Sequence, residues 1–256
     1  MTDKEKIENA DSPSNEDSLK EAGDIKVKVP VSGWLENFWY HYKWHTIAVL
    51  FVLIVSVVII VQCASKPKYD VHILYAGDKA ISTSKSNPER QQFLNAFRSV
   101  SSDFDENGEV SVAFKHLYSP DDEELAHLAE LEKSGEGEIP YSLIYDDQKT
   151  LDSLMMSSEY YLLFLDRAVF DRLCERGVIS SVRTHLPEGY KGEIAEGKNG
   201  ASGIYLRDTG FYKLEGIKEL PEDTVICIRL AGAFATEEDL ALLADAVSVF
   251  RRIAQT

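Results

Sequence analysis

The chain has 256 residues, with 43 Asp and Glu against 27 Lys and Arg, for a formal net charge of −16. A carboxylate excess of this size excludes nucleic acid as a partner, because phosphate binding needs clustered Lys and Arg, and it opposes a domain lying flat on anionic lipid. Three cysteines, Cys63, Cys174 and Cys227, are too few for a disulfide framework; Cys174 and Cys227 sit in apolar patterns and are expected as buried free thiols.

Residues 1–30 hold eight acidic and five basic side chains, no aromatic residue and the polar run Asn9 to Ser18. Such a segment cannot bury enough apolar surface to offset its chain entropy, and is expected to be a disordered tail. Residues 31–45 then collect all three tryptophans of the chain. Trp34, Phe38, Trp39 and Tyr42 recur at helical spacing, which predicts an aromatic interfacial helix whose rings prefer the headgroup layer.

From Trp44 to Ser65 run 22 residues without Asp, Glu, Lys or Arg. At about 1.5 Å per residue this makes about 33 Å of helix, enough for a hydrocarbon core of about 30 Å. A transmembrane helix is therefore expected over 46–63, acting as an uncleaved signal anchor for a single-pass protein. Cys63 is not expected to carry lipid, since Gln62 stands where a small residue belongs and the charged leader is long. Charge leaves orientation open: Lys26, Lys28 and Lys43 precede the span, and Lys66, Lys68 and Lys79 follow it.

The string Phe38-Trp-Tyr-His-Tyr-Lys-Trp-His-Thr46, the span, and Lys68-Tyr-Asp-Val-His-Ile-Leu-Tyr-Ala-Gly77 resemble a family of single-pass membrane-anchored proteins of Gram-positive bacteria. The resemblance implies a short cytoplasmic tail, an aromatic-rich anchor in the cell membrane and an extracytoplasmic α/β domain. It is clearest over residues 34–77 and brings no activity.

Residues 64–256 are ample for one domain and alternate strand and helix patterns. Strands are expected at Val71–Tyr75, Val110–Leu117, Tyr141–Tyr145, Tyr160–Leu165, Ile204–Leu206 and Val225–Leu230. Helices are expected after Asn87 or Ser86, after Ser119 as a hydroxyl cap with proline in the first turn, from Ala168 to Arg176, and after Thr236. The second has Leu125, Leu128 and Leu131 as its apolar face. The last has Leu240, Leu243, Ala246, Val247 and Phe250 facing inward. Pro187 to Gly203, with five glycines, reads as a long loop. This order implies a mainly parallel sheet with helices on both faces. The stretch Tyr160–Val178 is similar to part of extracellular solute-binding proteins, which implies a reduced, solute-binding-protein-like domain.

Candidate chemistry is sparse. Asp103-Phe-Asp-Glu-Asn-Gly108 matches the start of a calcium loop, with Asp103, Asp105 and Asn107 at the first three ligand positions and the Glu109 carbonyl available. Position 12 is Phe114, so a structural calcium would need another carboxylate, for which Asp121–Glu124 is a candidate. A solvated Asn-Gly turn explains the same residues. The histidines beyond the span lie at no close ligand spacing, and Asn199–Gly203 is not a nucleophile elbow. No catalytic residue or other cofactor is expected.

In open α/β sheets ligands bind beyond the carboxyl ends of strands. Tyr145, Asp146, Asp166 and Asp208 are expected at such ends and are the candidate ligand-binding residues. Together these features predict a non-catalytic, extracytoplasmic module for a small solute, a peptide or an envelope partner. The alternatives are an accessory subunit of a membrane-protein complex and a carboxylate-dependent hydrolase.

Overall fold

The computed structural model of the chain describes residues 31–64, 68–81, 84 and 86–256, so the tail over 1–30 lies outside the described residues. The chain divides into two units, Met1–Lys66 and Pro67–Thr256. In the first, one helix, α1 (Val31–Ala64), runs without interruption through both the aromatic segment and the apolar run. No proline or glycine follows Gly33 in it, so nothing breaks the expected interfacial helix from the span. Its stretch Phe38–Val61, 24 residues with none buried inside the protein, holds an 18-residue window of mean hydropathy 2.8 and is long and apolar enough to cross a membrane. Ser56, alone among polar residues in the apolar centre, donates its hydroxyl to the Val52 carbonyl at 2.8 Å, which removes its need for water.

The second unit is built on a six-stranded sheet. Its elements in chain order are β1 (Val71–Gly77), α2 (Pro88–Val100), β2 (Val112–Tyr118), α3 (Asp122–Ser134), α4 (Tyr141–Met156), β3 (Leu162–Leu165) and α5 (Arg167–Glu175). They continue with β4 (Ile194–Glu196), β5 (Ser202–Tyr205), β6 (Val225–Ile228) and α6 (Glu237–Gln255). The strand order is β2-β1-β3-β6-β5-β4. β1 pairs in parallel with β2 and β3, whereas the β3–β6, β6–β5 and β5–β4 pairs are antiparallel. The sheet is thus mixed, with two parallel and three antiparallel pairings, and the expectation of a mainly parallel sheet is corrected. Helical crossovers connect only β1, β2 and β3, while β4 and β5 pair through a short turn.

Helices cover both faces. Ile73, Tyr75 and Phe164 pack with Phe93 and Phe97 of α2 and with Val249, Phe250 and Ile253 of α6. Leu74, Ala76 and Leu163 pack on the other face with Leu151 and Met155 of α4 and with Phe170 and Leu173 of α5. Burial on both sides explains why β1 reads as a continuous apolar run. Cys174 and Cys227 are buried free thiols.

Four local expectations change. Tyr141–Tyr145 is the first turn of α4, not a strand: Pro140 precedes it, and the inward positions Leu151 and Met155 follow helical spacing. α3 begins after Asp121, whose carboxylate accepts from the Glu124 N–H at 2.8 Å, so the cap is an aspartate two residues beyond Ser119. No residue of α3 is fully buried. The glycine-rich stretch contains β4, and Gly203 opposite it lets β5 and β6 approach, since a Cβ there would strike the Val225 side chain and the Ile226 carbonyl. α6 carries the expected Thr236 cap, reciprocated by Asp239, but buries Ala246, Val249, Phe250 and Ile253 and leaves Leu240 exposed.

Candidate functional site

β1 and β3 are parallel neighbours, and the helices that follow them, α2 and α5, pack on opposite faces. The chain therefore parts at the carboxyl ends of the two strands and leaves a crevice there. Gly77 closes β1, and a Cβ on it would overlap the Asp166 carboxylate that follows β3. Asp166 occupies the cap position of α5, yet its side chain makes no capping bond. Instead it turns to β1, where Oδ2 accepts from the Asp78 N–H at 2.7 Å and Oδ1 from the Tyr75 hydroxyl at 3.2 Å. The Tyr75 oxygen in turn accepts from the Lys79 N–H at 3.2 Å.

Burial raises the Asp166 pKa to about 7, aided by the nearby Asp78 carboxylate and opposed in part by the Asp78 N–H and the Tyr75 hydroxyl. Asp166 thus keeps its proton up to near neutrality. Burial, with the charge of Asp166 behind it, holds the Tyr75 phenol firmly protonated. His116 of β2 stacks on the Tyr75 ring at 5.7 Å between centroids, and burial lowers its pKa, so its imidazole is neutral. Its Nε2 is buried without a hydrogen-bond partner among the described residues.

In front of these groups lies an open cleft of about 830 Å³ over the carboxyl ends of β1 and β2. Among the described residues, four carboxylates line it, Asp78, Glu89, Glu124 and Asp147, with Lys115 as the one lysine and His116 beside it. Ala80, Ile81 and Leu143 supply apolar wall. Asp147 accepts from the Tyr118 N–H at 2.8 Å, which ties α4 to the end of β2. Burial, followed by the charge of nearby Glu124, raises the pKa of the Tyr118 phenol. The lining is therefore acidic, suited to a cation with a small apolar body.

Of the four expected ligand residues, only Asp166 belongs to this region, and it stands behind the lining, where it holds the Gly77–Asp78 turn. Tyr145 and Asp146 are exposed on α4, which presents Leu143 and Asp147 to the cleft instead. Asp208 ends a 3-10 turn beyond β5 and accepts from the Glu193 N–H at 2.8 Å, outside the cleft. Asp78 carried a readable signal, since it follows the glycine that ends a strand. Asp147 carried none once its segment was taken as a strand, because its facing depends on a helix.

The Asp103–Gly108 loop closes mainly on itself and on Asp70. Asp103 accepts from the Asn107 and Gly108 N–H groups, and Asp105 accepts from Asn107. Asn107 Oδ1 accepts from the Glu109 N–H. Buried Asp70 accepts from the N–H groups of Phe104, Asp105 and Ser111 and from the Ser111 hydroxyl. Asp70, Asp103 and Asp105 place oxygens within 4.8 Å of one another. The added carboxylate is thus Asp70 rather than one from Asp121–Glu124. Three carboxylates are the right donor type for a hard cation but fewer than the six to eight oxygens, roughly, that calcium takes. The hydrogen bonds account for the loop without an ion.

No family model, no curated protein and no solved structure matches the chain.

Proposed function

We propose that this chain is a membrane-anchored binding module: α1 crosses the cell membrane with the tail inside, and the α/β domain outside takes a small cationic solute in the cleft. The observation that carries the reading is the acidic cleft of about 830 Å³ at the carboxyl ends of β1 and β2, backed by the Asp78–Asp166 pair. Its volume lies within the roughly 300–1,000 Å³ of small-molecule sites. An amine or guanidinium would meet Asp78, Glu124 and Asp147 at once, and an apolar stem would lie on Ile81 and Leu143. The similarity of Tyr160–Val178 to solute-binding proteins supports the same reading.

The test uses the full chain in lipid nanodiscs, melted with lysine, arginine, spermidine and basic dipeptides, and with neutral and anionic analogues. Cations are expected to raise the melting point by several degrees, and Asp147→Asn with Glu124→Gln to remove most of the gain. No shift with any cation, or an equal shift with anions, would sink the proposal.

The Asp166 carboxyl also favours a second reading, a carboxylate-dependent hydrolase, because a group that titrates near pH 7 suits acid–base work. That reading requires turnover of an ester or glycoside panel, lost in Asp166→Asn. The binding reading requires retention of intact ligand.

A further inference from the structure

The edge of the sheet opposite the cleft carries an apolar tip. β6 runs antiparallel to β3 with Ile228 opposite Leu162, so the chain after β6 emerges where β3 begins. It reads Leu230-Ala-Gly-Ala-Phe-Ala-Thr236, without a charge. A bond from the Ala235 N–H to the Gly232 carbonyl at 3.1 Å closes a turn with Phe234 at its corner. Phe234 is 98% exposed and Leu230 53% exposed. Met156, 82% exposed, ends α4 at the same edge. Ser158, just beyond α4, lies near Asp239 at the start of α6 and helps to lower its pKa, after the Thr236 hydrogen bonds. One exposed apolar side chain needs no explanation, but three large ones around an uncharged turn mark a contact surface.

The chain from α1 reaches the domain at this same edge. α1 ends at Ala64 and β1 opens at Val71. Fully extended, the residues between span at most about 25 Å, whatever the arrangement of the two units. A domain of this length has a radius of gyration of about 16 Å and is about 40 Å across. The β1 opening, on the edge that carries the turn, is therefore tethered within about 25 Å of the end of α1, less than the width of the domain.

We propose that the Leu230–Thr236 turn docks into the interfacial layer of the membrane, Phe234 foremost, with Leu230 and Met156 beside it. The proposal rests on reading α1 as a membrane span and is independent of what the cleft binds. The partner is the apolar boundary beneath the headgroups: the tip offers no cation to an anionic headgroup, so the contact does not depend on anionic lipid or on salt. Docking at this edge holds the cleft open to the aqueous side.

The experiment uses the full chain with Trp34, Trp39 and Trp44 replaced by phenylalanine, in nanodiscs of phospholipid brominated near the headgroup end of the acyl chains. A single tryptophan is placed either by Phe234→Trp or, at the cleft edge, by Tyr145→Trp; both positions are exposed, so neither change disturbs packing. Emission from position 234 is expected to be quenched at least twofold, equally in zwitterionic and mixed anionic bilayers, while position 145 keeps its intensity. No quenching at 234, or equal quenching at both positions, overturns the docking. Alkaline carbonate extraction separates the premises. A chain retained in the membrane with position 234 unquenched refutes the docking alone, whereas a chain extracted into solution refutes the span and the docking with it.

Discussion

At the scale of single residues, the site turns on where two aspartates send their hydrogen bonds. Asp166 has a folded pKa of about 7, against about 3.9 for an ordinary carboxyl. Between those values the native state holds more protons than the unfolded chain, so this group's contribution to stability falls as pH rises and levels off above pH 7. The slope reaches about 1.4 kcal/mol per pH unit at its steepest. Asp166→Asn has no such slope, so its melting point relative to wild type is expected to climb from pH 5 to pH 8; a difference constant with pH would refute the raised Asp166 pKa. Asp70 has the opposite sign. Burial works against its charge, but the Ser111, Asp105 and Phe104 hydrogen bonds prevail and lower its pKa. Its contribution is present above about pH 4 and is lost on acidification. Asp70→Ala is expected to cost about 3 kcal/mol in denaturant melts, since it leaves several donors unpaired. The loss is expected with calcium and with chelator alike; a loss confined to calcium-loaded protein would mean that these carboxylates serve a metal. Sequence made the Asp103–Gly108 turn legible because its partners are local. Asp70 lies over thirty residues away and joins it only through the β1–β2 pairing.

At the scale of elements, composition identified the strands that are buried on both faces and failed where burial is one-sided. β1, β3 and β6 were legible because an apolar run bounded by turns admits few other readings. Tyr-Ser-Leu-Ile-Tyr has the same composition, yet as the exposed first turn of α4 it belongs to a stripe that continues only at Leu151 and Met155. That error displaced the expected site from Asp147 to Asp146. The antiparallel pairing of β5 was hidden because β4, its hairpin partner, is three residues long and runs straight into Gly197. α3 was found but overrated: it buries no residue fully, while α2 buries five. Few buried contacts mean a low cost of local opening. Amide exchange in α3 is therefore expected to be at least tenfold faster than in α2. A bound cation that reaches Glu124 is expected to slow α3 and to leave α2 unchanged. Uniform exchange across both helices would show that α3 is held more firmly than its burial allows.

At the scale of the whole molecule, the uncharged run Trp44–Ser65 was legible at once as a candidate span, because nothing but length and the absence of charge is needed to recognise it. Its orientation was not, since three lysines stand on each side within the distance over which positive charge acts. The tie makes the orientation easy to bias, which sharpens its test. Protease applied to intact cells is expected to remove the domain of the wild-type chain, and protection would reverse the orientation proposed above. Replacing Lys66 and Lys68 by glutamine leaves the positive charge before the span and is expected to keep the domain fully accessible. Replacing Lys26, Lys28 and Lys43 by glutamine moves the balance beyond the span, and a protected population is expected to appear. If that triple variant were shaved as completely as wild type, the aromatic segment and the folding of the domain, not lysine balance, would set the direction of insertion.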